Sequence, residues 1–241
     1  MTLYLHLKNE RIPYIIKPSK ARSLSLRYPN TEALLLVEVP KGYSEKVVED
    51  FIRKKSDWIL KHYRNRQNLQ HQRSTFWANV EKGKILYLGE QYSIVFQEAA
   101  HNRVQMKDRQ MRINMSKSTR KAPLKSILYP ALRALASNYL KKRTHELAQH
   151  THTIIKTVRI KDHSSKWGSC SSLKNINLNW HLIFLPPSLI DYVIIHELMH
   201  LREMNHSPAF WQWVERFYPK HKQARKQMKA YQWLIGIFDS H

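Results

Sequence analysis

The sequence predicts an α+β protein, and three observations carry that reading. Apolar and polar residues alternate, between turn residues, over much of the first 114 positions. From Leu124 to Leu147 the apolar spacing becomes helical. Beyond residue 154, short β-forming runs give way to three helical ones. Together these predict a β-rich N-terminal region with one helix over residues 1–120 and an α+β domain over residues 121–241, with the composition changing at about residues 115–123.

Tyr14-Ile15-Ile16, Leu24 to Arg27 and Leu34 to Val39 are β-forming runs, separated by Pro18-Ser19 and Tyr28-Pro29-Asn30. From Ser44 the period changes: Val47, Val48, Phe51, Ile52, Trp58 and Ile59 share a helix face, predicting a helix to about Arg66. Residues 67–80 are polar and read as a loose connection. Strands follow at Lys84 to Gly89, Tyr92 to Gln97, Arg103 to Met106 and Gln110 to Asn114, with a hairpin turn at Gly89-Glu90. Leu124, Leu128, Leu132, Leu135, Tyr139, Leu140 and Leu147 keep helical spacing. Residues 154–160 and 176–183 read as strands, the latter by strict alternation. Proline is tolerated in a first helical turn, so Leu185-Pro186-Pro187-Ser188 opens a helix running to about Arg202. Ser207-Pro208 supplies an N-cap and first position for the next, to about Tyr218, and a last helix spans roughly Lys220 to Leu234. No internal repeat is visible.

Composition narrows the function classes. A chain of 241 residues with 42% hydrophobic and 24% charged residues can bury a core and is not of disordered composition. One cysteine, Cys170, cannot form an internal disulfide, so nothing points to an oxidising compartment. The start, MTLYLHLKNERIPY, lacks a basic segment followed by a long apolar run, and no apolar run approaches the ~18–20 residues of a membrane span. A cytoplasmic protein without membrane contact is expected; oligomeric state is not set by the sequence. The net charge of +23, from 41 Lys+Arg against 18 Asp+Glu, suits polyanionic partners such as nucleic acid. That charge is spread out, however, and several basic runs fall on predicted helices, where a solvated face explains them.

The chemistry concentrates in His196-Glu197-Leu198-Met199-His200. A helix advances about 100° per residue, so the two imidazoles lie about 40° apart on one face, one turn from each other, and can meet on one cation. At sites of this spacing the intervening glutamate, here Glu197, is the general base. Zinc lowers the pKa of bound water to about 7, and the carboxylate takes the proton as that water attacks. Such a site needs a third protein ligand. His206, six residues past His200 and just before the Ser207-Pro208 helix start, is preferred; Glu203, on the same helical face as both histidines, competes. A purely structural zinc site would more often use cysteines, and the chain has one. Trp167 reads as a core aromatic, Gly168 as a close backbone approach or a bulge, and Phe210, Trp211 and Trp213 as helix packing. Asn177 and Asn179 share a strand face and could reach a cleft or serve the sheet; Tyr192 and Tyr218 are candidates to polarise a substrate oxygen.

Four strings taken together, Trp167-Gly168-Ser169-Cys170-Ser171, Asn175 to Trp180, His196 to His200 and Asn205 to Trp211, resemble the YgjP-like metallopeptidase family. The likeness is close over about residues 155–220 and looser over Ser19 to Arg27, Trp58-Ile59 and Gly89. It implies a zincin-like catalytic half, a zinc ion on His196, His200 and His206, and Glu197 as acid/base, as in the similar SprT-type proteases. Two departures stand out: Lys166 where the family usually has arginine, and Lys20-Ala21 where members are often more basic. Three functions compete. The first is hydrolysis of a peptide or protein. The second is hydrolysis of a phosphoanhydride in an anionic small molecule such as a nucleoside triphosphate, as for some members of that family. The third is a protease acting on nucleic-acid-bound proteins.

Overall fold

A hairpin opens the chain, because alternating apolar residues give it one face to bury. β1 (Leu3–Leu7) pairs antiparallel with β2 (Glu10–Ser19), and β2 runs parallel to β4 (Leu35–Pro40), which pairs antiparallel with β3 (Ser25–Arg27). The order is β1-β2-β4-β3. Ile12, Leu35 and Val37 from this sheet pack with Val48 and Ile52 of α1 (Glu45–Lys54) and Ile59 and Leu60 of α2 (Ser56–Glu81). The computed structural model describes residues 2–28, 33–101 and 103–238. Pro29-Asn30, part of an expected turn, lies outside them.

The expected loose connection over residues 67–80 is helix: α2 continues to Glu81. Its glutamines, arginines and histidines are adequate helix formers, and their polarity reflects a solvated face rather than a break. Phe76 and Val80, one turn apart, are buried near its end. A break does occur at Lys55, between α1 and α2, where the sequence predicts one continuous helix.

The next four strands repeat the first plan. β5 (Lys84–Tyr87), β6 (Glu90–Glu98), β7 (Arg103–Lys107) and β8 (Gln110–Met115) lie in the order β5-β6-β8-β7, again with an antiparallel, a parallel and an antiparallel pairing. A long helix, α3 (Leu124–His150), follows. The sequence hides this repeat because sheet packing constrains apolar alternation and volume, not residue identity.

The β5–β6 turn is Leu88-Gly89, one residue before the expected position, with both φ values positive (50° and 80°) as a type I′ hairpin needs. It docks on the segment leading into the active helix: the Leu88 amide donates to the Ile183 carbonyl at 2.7 Å and Gly89 to that of Phe184 at 3.2 Å. A Cβ on Gly89 would lie 2.8 Å from Pro186 Cγ and 2.9 Å from its Cα. Gly89→Ala is therefore expected to destabilise the fold by about 2–5 kcal/mol, through left-handed backbone strain plus overpacking, read as a lowered urea midpoint.

The third sheet has the order β10-β11-β9. β11 (Asn175–Asn179) lies parallel to β9 (Thr157–Lys161) and antiparallel to β10 (Gly168–Cys170), an edge strand. The strand expected to reach residue 183 stops at Asn179. The Asn179 side chain accepts from the His181 amide at 3.2 Å and starts a 3₁₀ turn over Trp180–Phe184. α4 (Pro187–Met199) follows, ending three residues earlier than expected, then α5 (Pro208–Phe217) and α6 (His221–Met228), which passes into a 3₁₀ turn at Lys229–Leu234. Leu132, Leu140, Trp180, Phe184, Ile194 and Leu198 are fully buried in this core. Arg143 of α3 holds Asp191 of α4 through two parallel bonds of 2.7 and 2.8 Å, a fork that fixes the active helix, and its ionised form is strengthened by those bonds and by Glu146.

By contacts the chain divides into Met1–Thr75 and Phe76–His241. Residues 115–123, where the composition changes, lie within the second unit: Met111 and Met115 share one core with Ile127 and Leu128. No described helix is long and apolar enough to cross a membrane.

Candidate active site

α4 supplies the first half of the site. It is hydrophobic nearly all round, with Leu189, Ile190, Ile194, Ile195, Leu198 and Met199 buried, so His196 and Glu197 are carried into an apolar interior. His200 occupies the C-cap, where the chain leaves the helix through tight turns at Leu201 and Arg202. Ser207 caps α5, its hydroxyl accepting from the Phe210 amide at 3.3 Å with Pro208 in the first turn. These two ends fix the bend, and His206 swings back from it.

The three imidazoles come together. One ligand atom from each of His196, His200 and His206 lies within 4.8 Å of the others, the one such cluster among the described residues. His196 Nε2 and His206 Nε2 are 3.0 Å apart. Nitrogens bound tetrahedrally at about 2.0–2.1 Å would sit about 3.3 Å apart, so the donor set fits a zinc-sized ion. His200 Nδ1 is 3.1 Å from the Glu203 carbonyl oxygen, which orients the ring and leaves Nε2 for an ion. Glu203 thus joins the site through its backbone, and its carboxylate is not in the cluster. Burial, together with the neighbouring rings and Arg225, holds the His196 imidazole down at about 3; burial lowers His200 as well. Neutral imidazoles keep a lone pair free for a cation.

Aromatic rings frame the cluster. Phe210, fully buried, stacks on His200 at 4.5 Å between centroids and meets His196 and His206 edge-on at 4.9 Å. Trp211 stacks on His206 at 5.8 Å. The helix-packing role expected for these two is real, and they also fix the rings of the site. Trp213 has no ring contact with the cluster; the guanidiniums of Arg202 and Arg216 lie over its ring instead.

Glu197 faces β10. A Cβ on Gly168 would lie 2.8 Å from Glu197 Cγ and Oε1, so the close approach expected of this glycine is an approach to the glutamate itself. Burial pushes the Glu197 carboxyl up to about 8, opposed by the Lys166 ammonium. A divalent cation on the imidazoles would pull it back down. Glu197 and His196 line a cleft of about 310 Å³ with Trp167, Gly168 and Tyr192. Trp167 therefore borders the cleft as well as packing on the core.

The other candidates separate. Tyr192 lines the cleft, whereas the Tyr218 hydroxyl donates to the Ser188 carbonyl at 2.9 Å. Asn179 is fully buried and donates to the His163 and Lys166 carbonyls, so its role is to shape the loop before β10. Asn177 donates to the Ser169 hydroxyl within the sheet. Burial, and then Glu197, push the Cys170 thiol up to about 11, so it stays protonated at neutral pH. Iodoacetamide at pH 8 is expected to alkylate Cys170 at least about tenfold more slowly in the native protein than in urea, as followed by mass spectrometry. Sequence reasoning missed Lys166, Arg225 and Met228 as cleft-lining residues. Lys166 stood next to a recognised motif; Arg225 and Met228 carry no local signal, because only the tertiary fold brings α6 to the cleft.

A family model described as the YgjP-like metallopeptidase domain matches residues 22–231. This chain belongs to the YgjP-like metallopeptidase family. As a member it is a metal-dependent hydrolase. No curated protein matches it. Among solved structures it is similar to the metallopeptidase zymogen of Pyrococcus abyssi abylysin, at 22% identity over 38% of this chain and 93% of that one, with a TM-score of 0.36. It is also similar to the zymogen of Methanocaldococcus jannaschii jannalysin, at 25% identity over 40% and 97%, with a TM-score of 0.34.

Proposed function

We propose that this YgjP-like chain is a zinc-dependent peptidase in which His196, His200 and His206 hold the metal and Glu197 is the general base. One observation carries the reading: three imidazole nitrogens converge, and one of those rings, His196, lines a cleft together with the buried carboxylate of Glu197. When bound, zinc supplies Lewis acidity and brings water to a pKa of about 7. Glu197 takes the proton from the attacking water and returns it to the departing amine. The Tyr192 hydroxyl, on the same wall, donates to the oxygen that gains charge. β10 is an edge strand bordering the cleft, so an extended peptide can pair with it and bring its backbone beside Glu197. The single thiol being free, we place the protein in a reducing compartment, the cytoplasm.

Purified protein loaded with zinc, assayed on casein and on a panel of nucleotides, tests the reading and its phosphoanhydride alternative together. Cleavage of casein is expected; turnover of nucleotides alone would replace the reading. His206→Ala is expected to lower bound zinc from about one equivalent to under a tenth after dialysis, measured by atomic absorption. Full retention would return the third-ligand role to Glu203. The charge of +23 favours a second reading, a protease acting on nucleic-acid-bound proteins. Filter binding to DNA at two salt concentrations tests it, and affinity that does not fall with salt removes it.

A further inference from the structure

The cleft carries two cations that the peptidase chemistry above does not use. Lys166, on the loop before β10, and Arg225, on α6, both line it beside His196 and Glu197. Both are exposed. Each acts on the reacting groups: Lys166 on Glu197, Arg225 on His196 and Tyr192. Among the described residues neither forms an ion pair with a carboxylate, although neighbouring cations do: Arg143 holds Asp191, and Lys222 reaches Glu215 at 4.0 Å.

Both are also held in place. The Arg225 guanidinium lies over the Trp211 ring, 5.3 Å from its centroid, and Trp211 stacks in turn on His206. The Lys166 carbonyl accepts from the buried Asn179 amide at 3.0 Å, which fixes the backbone that carries the ammonium. Arg225 also borders a neighbouring hollow of about 430 Å³, where Glu215 faces Lys222 and leaves Arg225 without a carboxylate partner among the described residues. Glu197 is the one acidic side chain on the cleft wall, and it faces β10. A planar guanidinium with free donors matches a carboxylate in a two-bond fork.

We propose that Arg225, assisted by Lys166, receives a carboxylate of the substrate close to the cleaved bond, so that the enzyme prefers peptides with a negative charge there. The inference rests on the peptidase reading of the site. Two sources present the same chemistry, an Asp or Glu side chain and a free C-terminus.

The test uses the full-length, zinc-loaded protein and acetylated octapeptides cut and sequenced by mass spectrometry, each made with Asp or Asn at one position and with a free or amidated C-terminus. The wild type is expected to cleave carboxylate-bearing members at least about tenfold faster in kcat/KM. Loss on changing Asp to Asn assigns the side chain; loss on amidation assigns the terminus; either supports the proposal. Arg225→Met should slow cleavage of carboxylate-bearing peptides at least about tenfold more than that of neutral ones, removing the preference, and Arg225→Lys should restore part of it. Lys142→Met, which removes one exposed charge on α3, should alter neither. Equal cleavage of acidic and neutral peptides by the wild type, or an equal fall on both in Arg225→Met, overturns the proposal. A binding measurement separates this from failure of the peptidase reading. Fluorescence anisotropy with the same peptides, labelled, is read on Glu197→Gln with and without the additional Arg225→Met. Arg225-dependent binding of carboxylate peptides that the wild type does not cut keeps the carboxylate site and ends the peptidase reading. Cleavage without charge preference does the reverse, and neither cleavage nor Arg225-dependent binding overturns both.

Discussion

Replacing Glu197 by glutamine is expected to lower kcat/KM on a peptide substrate by about a thousandfold, equivalent to about 4 kcal/mol of transition-state stabilisation, with zinc content unchanged. The amide has nearly the shape of the carboxylate but cannot accept the proton of the attacking water. Among the described residues no protein group donates a hydrogen bond to the Glu197 carboxylate, so no structural bond is broken by the change. An uncharged amide also carries a smaller desolvation cost than a carboxylate in so buried a position. The melting temperature should therefore hold or rise while activity collapses. Steady-state kinetics, metal analysis and a thermal melt on one preparation check all three. A variant as active as the wild type would place the base on another residue.

Gly168→Ala should be nearly as damaging, although glycine touches neither metal nor substrate chemistry directly. The added methyl would sit 2.8 Å from Glu197 Cγ and Oε1 and 2.9 Å from Cδ. Glu197 is only 6% exposed, so it has little space into which to withdraw. Either β10 lifts away or the carboxylate turns from its position. A displacement of about 1 Å in a reacting group costs on the order of a hundredfold in rate, and overpacking of this kind costs about 1–3 kcal/mol in stability. The imidazoles are untouched, so zinc should stay. Kinetics beside a urea titration separates the two effects. Unchanged kcat in a stable variant would mean that β10 does not set the carboxylate.

Local signals carried much of this molecule. The i,i+4 histidines, the serine and proline that restart a helix, the alternation in β2, β4, β6 and β8 and the glycine that opens the edge strand are all short-range patterns, and the structure shows the elements they predict. Boundaries were less legible. Asn179 ends a strand by capping a turn with its side chain, and strict alternation across residues 176–183 conceals that. The long polar end of α2 reads as a loop until Phe76 and Val80 are seen to be buried.

The sequence by itself determined the α+β class and the placing of His196 and His200 on one helix face with Glu197 between them, because helical geometry acts within a few residues; it left His206 and Glu203 competing for the third position. Only the tertiary structure decided that two four-stranded sheets repeat one topology, that Phe210 and Trp211 clamp the imidazoles, and that Arg225 of α6 stands beside Glu197 of α4. Those relations join residues far apart in the chain, and packing selects them by shape and volume, which leave no pattern in the neighbouring sequence.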